Sequence, residues 1–346
     1  MPTPSPGRSR GLVLLGGDLD LVQDVTRRAE AAGFDSVWTT EFYERTATVS
    51  LAAMSMVSSR VVLGSAIAYA VGRSPLVLSA EARDLDELSR GRLILGLGTG
   101  TRTMQRDWHG SDPTAPARRV EELVPLLRRL WSMDDTGVLH DGDFYHLALT
   151  PTAAVRPPLR ADIPVYLAGV NPRMVRAAGS VADGLVGHPI FSRRYVEDVV
   201  RPALDDGAAR ADRSRSVPIA GYVICSINED PDVALRWAKA QIGFYAVVRT
   251  YLPAFAVHGL ESMAADAREA WSRRDIDAMI AAVPDDVVEL FAVAGTPDEV
   301  PQQLHERFDG LYEQTLLYSP SFGLDVAQLQ GNVEAIMELL APGGAA

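Results

Sequence analysis

Four times in the first hundred residues a short apolar run gives way to a helical pattern, and this alternation most limits the folds open to the chain. Residues 12–15 form the first run. Val22, Val25, Ala29 and Ala32 then recur at helical spacing, with Asp18 or Asp20 as the cap and Gly33 as the stop. Residues 34–38 read as a second strand, 47–58 as a helix and 61–67 as a third strand. Pro75 opens a helix with Leu78, Ala82, Leu85 and Leu88 on one face, and Leu93-Ile94-Leu95 begins a fourth strand. A chain that alternates in this way builds a parallel sheet covered by helices.

The pattern continues after a polar stretch at 102–116. A helix at 117–133 and a small hairpin at 141–147 lead to a fifth strand, Pro164-Val165-Tyr166-Leu167-Ala168. Asn171 is placed to cap, and Pro172 to start, the helix that follows. Gly184-Leu185-Val186-Gly187 is the sixth strand and 219–227 the seventh. Roughly ninety residues of helical pattern come next, too long for a plain crossover. Within them Thr296-Pro297-Asp298-Glu299 reads as a capping box. Thr315-Leu316-Leu317-Tyr318 is the eighth strand and 326–340 a closing helix. The expectation is an α/β chain folded as a (β/α)₈ TIM barrel with a helical insertion before the last strand. It would span 11–346 as a single domain, behind a disordered N-terminus at 1–10. The alternative is an open doubly wound sheet. A dinucleotide-binding sheet places its glycines after the first strand, whereas here the first turn is Gly16-Gly17-Asp18 and the glycine cluster follows strand four.

Composition removes several functions. The net charge of −12 leaves no basic stripe for nucleic acid. Lys239 is the only lysine, so no lysine is at hand elsewhere for a Schiff base or a Walker motif. Cys225 is the only cysteine; it sits in an apolar run, reads as a buried structural thiol, and excludes both an internal disulfide and a cysteine zinc cluster. The first ten residues hold no apolar leader segment and no apolar span of membrane length follows, so the expectation is a cytoplasmic protein without a membrane partner.

Function in such a barrel collects where strands end. Those ends read Thr39-Thr40-Glu41-Phe42, Ala66-Ile67-Ala68-Tyr69, Gly98-Thr99-Gly100-Thr101, Ala168-Gly169-Val170 and Gly187-His188. They show no metal-ligand spacing, no Ser-His-Asp grouping and no paired carboxylates. Small residues dominate, and turns of that kind let a backbone approach a ligand and offer amides to an anion. The helix start at Asn171-Pro172 adds a second anion position. The set suits a flat cofactor with a phosphate tail, the cofactor carrying the redox chemistry. Trp38 and Tyr69 either line the substrate pocket or pack beneath it. Glu41 is either a proton-transfer acid or a structural partner of Arg73 or Arg45. His188 could reach cofactor phosphate or substrate, and His109 reads as structural.

Several motifs together resemble one family. They are Glu41-Phe42-Tyr43, Leu63-Gly64-Ser65-Ala66-Ile67 with Arg73-Ser74-Pro75, Ser89-Arg90-Gly91-Arg92 running into Leu93-Ile94-Leu95-Gly96-Leu97-Gly98-Thr99-Gly100, and Pro164-Val165-Tyr166-Leu167-Ala168-Gly169 with Ala182-Asp183-Gly184. From 12 to 319 the chain resembles the bacterial luciferase-like monooxygenase superfamily. Phe244-Tyr245, His258-Gly259 and Gly295-Thr296-Pro297-Asp298-Glu299 look more like its F420-dependent oxidoreductase branch. The resemblance implies the barrel with its insertion, coenzyme F420 or alternatively FMN, and a homodimer. It implies a cis peptide between Ala66 and Ile67, with Ile67 against the rear of the cofactor ring. Gly98, Thr99, Gly100, Thr101, Ala168, Gly169 and Val170 would hold the phosphate and side chain, and Glu41 would stand near the reactive edge. Sugar-phosphate dehydrogenases of the family carry His and Glu where this chain has Phe42 and Thr101. An apolar Phe42 suits an unsaturated organic metabolite as substrate, reduced by hydride from the deazaflavin C5. An FMN monooxygenase and a non-catalytic barrel subunit are the other readings.

Overall fold

The apolar runs become parallel strands because each is covered on its outer side by the helix that follows it. The computed structural model describes residues 9–214 and 216–342. Strand β1 (Ser9–Leu14) pairs with β2 (Ser36–Thr39), and the order continues through β3 (Val62–Ser65), β4 (Leu93–Gly98), β5 (Val165–Ala168), β6 (Gly184–Val186), β7 (Ile219–Ile227) and β8 (Gln314–Tyr318). Ile219 pairs with Leu185, and Leu12 with Leu317, so among the described residues these eight parallel strands close into a (β/α)₈ barrel. Helices α1 (Leu19–Ala32), α2 (Ala47–Val57), α3 (Pro75–Leu88), α4 (Pro116–Trp131) and α5 (Pro172–Val181) follow the first five strands. None of the described helices is long and apolar enough to cross a membrane.

Local chemistry sets the helix ends. Asp18 accepts the Leu21 N–H at 2.8 Å, and Gly33 at φ 94° caps the carbonyls of Ala29 and Glu30, a dihedral that a side chain would oppose. Ser74 caps α3 directly before Pro75. The hairpin pairs Val138–Asp141 with His146–Leu149. Buried Cys225 has its thiol pushed up to about 12 by desolvation, the inert thiol expected.

The structure corrects three boundaries. Ser9 and Arg10, expected in a disordered terminus, are the first residues of β1; Ser9 is buried and Arg10 donates to the Leu340 carbonyl at 2.9 Å. Residues 1–8 lie outside the described residues. The long insertion contains a short strand, Ala292–Gly295, which pairs with the end of β7. Glu299 accepts the Thr296 N–H at 2.9 Å, yet the helix beyond runs only from Val300 to Phe308.

Trp38 fills the barrel interior. A Cβ on Gly64 of β3 would lie 2.2 Å from its ring, and across the barrel its centroid stands 6.1 Å from that of Tyr166 on β5. The indole donates to Ser36 at 2.8 Å.

One carboxylate pins the start of β3. Glu30 of α1 accepts the N–H groups of Ser59, Arg60 and Val61 and the Ser59 hydroxyl. Burial would raise its pKa, but these donors outweigh burial and hold it at about 2. The stabilisation is present above the unfolded-state value near 4.5 and is lost as pH falls toward 2. Glu30→Gln is expected to lower the melting temperature at neutral pH and to flatten the loss of stability between those limits. An acid melt superimposable on the parent's would contradict this.

Candidate active site at the barrel mouth

The mouth is shaped where β3 leaves β4. The Ser65 hydroxyl donates to the Gly96 carbonyl at 2.8 Å and accepts the Gly96 N–H at 2.9 Å. A Cβ on Gly96 would fall 1.7 Å from the Ser65 carbonyl oxygen, so only glycine fits there. The next peptide, Ala66–Ile67, is cis, as the resemblance implies. The chain then re-pairs, Ala68 with Leu97 and Tyr69 with Gly98. Three bonds hold this bulge: the Ala66 N–H on the Thr39 carbonyl at 2.7 Å, the Glu41 N–H on the Ile67 carbonyl at 2.9 Å, and the Tyr222 hydroxyl on the Ala66 carbonyl at 2.7 Å.

The bulge swings Ile67 over β4. A Cβ on Gly98 would lie 2.2 Å from Ile67 Cδ1 and 3.3 Å from the Ala168 methyl, so the ends of β3, β4 and β5 meet in one apolar patch. Gly100, at φ 67°, places its Cα where a Cβ would stand 3.0 Å from Tyr69. Thr99 is buried and its hydroxyl donates to the Gly100 carbonyl at 3.3 Å; Thr101 accepts the Met104 N–H at 3.2 Å and starts a turn that becomes π-helical over Met104–Trp108. A Cβ on Gly169 would approach Val175 N at 3.0 Å, so the turn after β5 lies directly on the first turn of α5. Asn171 stands at the cap of α5, but its amide donates to the Thr250 carbonyl at 3.3 Å and does not cap the helix amides. The Val170 carbonyl accepts the Tyr195 hydroxyl at 2.9 Å.

The acid and the guanidinium nearest the bulge are paired. Both oxygens of buried Glu41 accept from Arg73 Nη1, at 2.9 and 3.1 Å, and Arg73 Nε meets Glu81 at 2.8 Å. Burial would lower the Arg73 pKa; Glu41 and Glu81 outweigh it and hold it above the usual arginine value. Glu41 thus occupies the structural partnership that its sequence context allowed. Tyr69 is buried, and its phenol is pushed up by desolvation and then by Glu41 and Tyr251. His188, at the end of β6, is pulled down to about 3 by burial, which leaves it uncharged at neutral pH. Its ring stands 4.2 Å from Tyr251 and 4.8 Å from Tyr245. Tyr245 in turn shares a 2.8 Å hydroxyl contact with Tyr318.

Residues 3–314 match the family described as luciferase-like monooxygenase. The chain belongs to that family. It is 33% identical over 327 residues to an uncharacterised protein of Mycobacterium tuberculosis, covering 90% of this chain and 94% of the relative. It is 26% identical over 329 residues to the 5,10-methylenetetrahydromethanopterin reductase of Methanopyrus kandleri, covering 90% and 93%. Among solved structures, the coenzyme F420 dependent tetrahydromethanopterin reductase of Methanopyrus kandleri superposes with a TM-score of 0.78 at 24% identity, over 96% of this chain and 98% of that one. The barrel is therefore the family fold.

Against that fold the expected site residues separate. Ala66, Ile67, Gly98, Ala168 and Gly100 with Tyr69 gather at the mouth, and Thr99, Thr101, Gly169 and Val170 follow them in the same turns. Phe42 stands at the rim, 46% exposed. Trp38 does not line the pocket: fully buried inside the barrel, it shares the inward face of its strand with Ser36 and packs on Gly64. Tyr222, Tyr251 and Tyr318 went unread as site residues, and Tyr245 was read only as part of the family resemblance. Tyr318 is the last residue of β8, and extending the survey of strand ends past β6 would have found it.

Removing one partner of a buried ion pair strands the other. Arg73→Met should cost about 3 kcal/mol in urea unfolding, and adding Glu41→Gln should recover most of that loss. A loss below about 1 kcal/mol for the single variant would mean that the pair is as weak as a solvent-exposed one.

Proposed function

We propose that the chain is a coenzyme F420-dependent oxidoreductase, a reductase of an unsaturated, uncharged organic metabolite. The observation that carries this reading is the apolar patch of Ile67, Gly98 and Ala168 below a mouth where the Arg73 guanidinium is neutralised by two carboxylates. The reductase relative from Methanopyrus kandleri supports it. So does Phe42, which leaves no imidazole beside Glu41.

The residues present fit a flat ring with an anionic tail. Ile67 and Ala168 are only partly buried and give one apolar face. Beyond Gly100, Gln105 donates to the Gly100 carbonyl at 3.4 Å while its own Oε1 is buried without a partner, a group that awaits a donor. The Arg173 N–H, the first amide of α5 after Pro172, suits a phosphate, the Met174 N–H being donated to the Asn171 carbonyl at 2.9 Å. When bound, the deazaflavin supplies hydride from C5. Ile67 would fix the ring from behind, and the Gly98-Thr99-Gly100-Thr101 and Ala168-Gly169-Val170 turns would hold the tail. Tyr69 and Tyr251 keep their protons at neutral pH, the latter with its pKa at about 12, and donate hydrogen bonds to a substrate oxygen. Glu41, held by Arg73, would orient groups at the edge of the ring.

Titration of the purified chain with reduced F420 and with FMN separates the readings. The proposal expects F420 to bind at least about tenfold more tightly than FMN. Tighter FMN binding with oxygen uptake would replace it with a monooxygenase, and binding of neither with a non-catalytic barrel.

A further inference from the structure

A cavity of about 360 Å³ lies away from the mouth, on the flank of the barrel. It opens between the helical stretch that starts at Arg193, after β6, and the helix Val300–Phe308, before β8. Leu290 and Phe308 line it with apolar side chains, and His258 joins them from the insertion. Arg193, Arg194 and Arg307 also line it, against two carboxylates, Glu197 and Glu289. In a chain of net charge −12, a concave surface with more cations than anions stands out from the rest.

These cations are loosely held. Arg193 Nη1 stands 3.6 Å from Glu197, Arg307 Nη2 3.8 Å from Glu289, and Arg194 Nε 3.3 Å from Asp198. The two pairs of Arg73 at the mouth, by contrast, close to 2.9 and 2.8 Å. Arg193 also donates to the Arg307 carbonyl at 3.0 Å, and Arg307 to the Ala292 carbonyl at 3.4 Å, which fixes both side chains along the cavity. Each guanidinium carries more donors than these contacts use. The remaining polar wall is fixed too: Ser192 Oγ accepts the Tyr195 N–H at 3.1 Å and shares a 2.7 Å contact with His258 Nε2. Burial, and then the charge of Arg194, hold the His258 pKa below its usual value, so the imidazole is uncharged at neutral pH and lies in a positive field.

We propose that this cavity binds a small organic phosphate monoester, its anionic group among Arg193, Arg194 and Arg307 and its carbon body on Leu290 and Phe308. The site is independent of the hydride-transfer reading, since none of these residues belongs to the mouth. Glu197 and Glu289 are carboxylates fixed to helices, and they meet the guanidinium groups only at long range. A dianionic phosphate offers oxygens in several directions and can satisfy more than one guanidinium fork at once, which a single planar carboxylate cannot. The arginine stems and the two apolar side chains suit a carbon body beside it.

The test is calorimetric titration of the full chain with phenyl phosphate, benzoate and inorganic phosphate at about pH 8, where the monoester is a dianion. Phenyl phosphate should bind at least about tenfold more tightly than benzoate, and more tightly than inorganic phosphate, which has no body to place on Leu290 and Phe308. Arg194→Met should weaken it by about fivefold or more. The Arg194 side chain is 62% exposed, so its loss leaves the fold intact, and circular dichroism checks this. Glu289→Gln, at a side chain 66% exposed, removes the carboxylate that competes for Arg307 and should tighten phenyl phosphate by about twofold or more. A merely structural Glu289 would give no such gain. Absence of phenyl phosphate binding overturns the proposal. So does equal or tighter binding of benzoate or inorganic phosphate, or an affinity indifferent to Arg194 and Glu289. Displacement of phenyl phosphate by F420 would give the cavity to the coenzyme and overturn it as a separate site.

Discussion

The structure depends on a break in one β-ladder. At Ser65 the regular pairing of β3 with β4 stops, and a side-chain hydroxyl takes over both backbone groups of Gly96. Because a buried backbone amide left unpaired is costly, the substitution lets the chain leave the sheet without orphaning that residue. The freed segment is then caught from two sides, by Tyr222 of β7 on the Ala66 carbonyl and by the Glu41 amide on the Ile67 carbonyl. Ile67 can fall only onto β4, and glycine at position 98 gives it room.

The electrostatics follow from the same geometry. The Glu41 amide anchors the bulge while its carboxylate is spent on Arg73, so the acid nearest the patch is a fixed structural charge. His188 is uncharged through burial, and the surrounding phenols hold their protons. A site built in this way orients and excludes water. It offers hydrogen-bond donors, and it draws little on acid–base groups poised near neutrality.

Much of this was legible in the chain because buried parallel strands and their covering helices write opposite periods into the sequence. The β7 run at 219–227 and the closing helix at 326–340 came out at their observed bounds; Asp18, Gly33 and Pro75 marked helix ends through local chemistry, and Asn171 stands at its helix start without capping it. The strand at Ala292–Gly295 escaped because small apolar residues directly after a helix carry no period of their own. Trp38 was assigned by its closeness to a strand end, whereas it shares the inward face of β2 with Ser36, a facing that shows only once the barrel has closed. Tyr245 and Tyr251 reach the mouth from the insertion, and nothing local in their sequence says which way that insertion folds. Unpartnered atoms such as those of Gln105 and His109 exist only once neighbours are in place.

The central claim is that the ends of β3, β4 and β5 form one shelf for a tricyclic redox coenzyme. A crystal structure of the chain grown with reduced F420 tests it most directly. The account predicts deazaflavin density packed on Ile67, with its tail running past Gly98 and Gly100 toward the start of α5. Density for the coenzyme at any other surface, with Ile67 left uncovered, would contradict it.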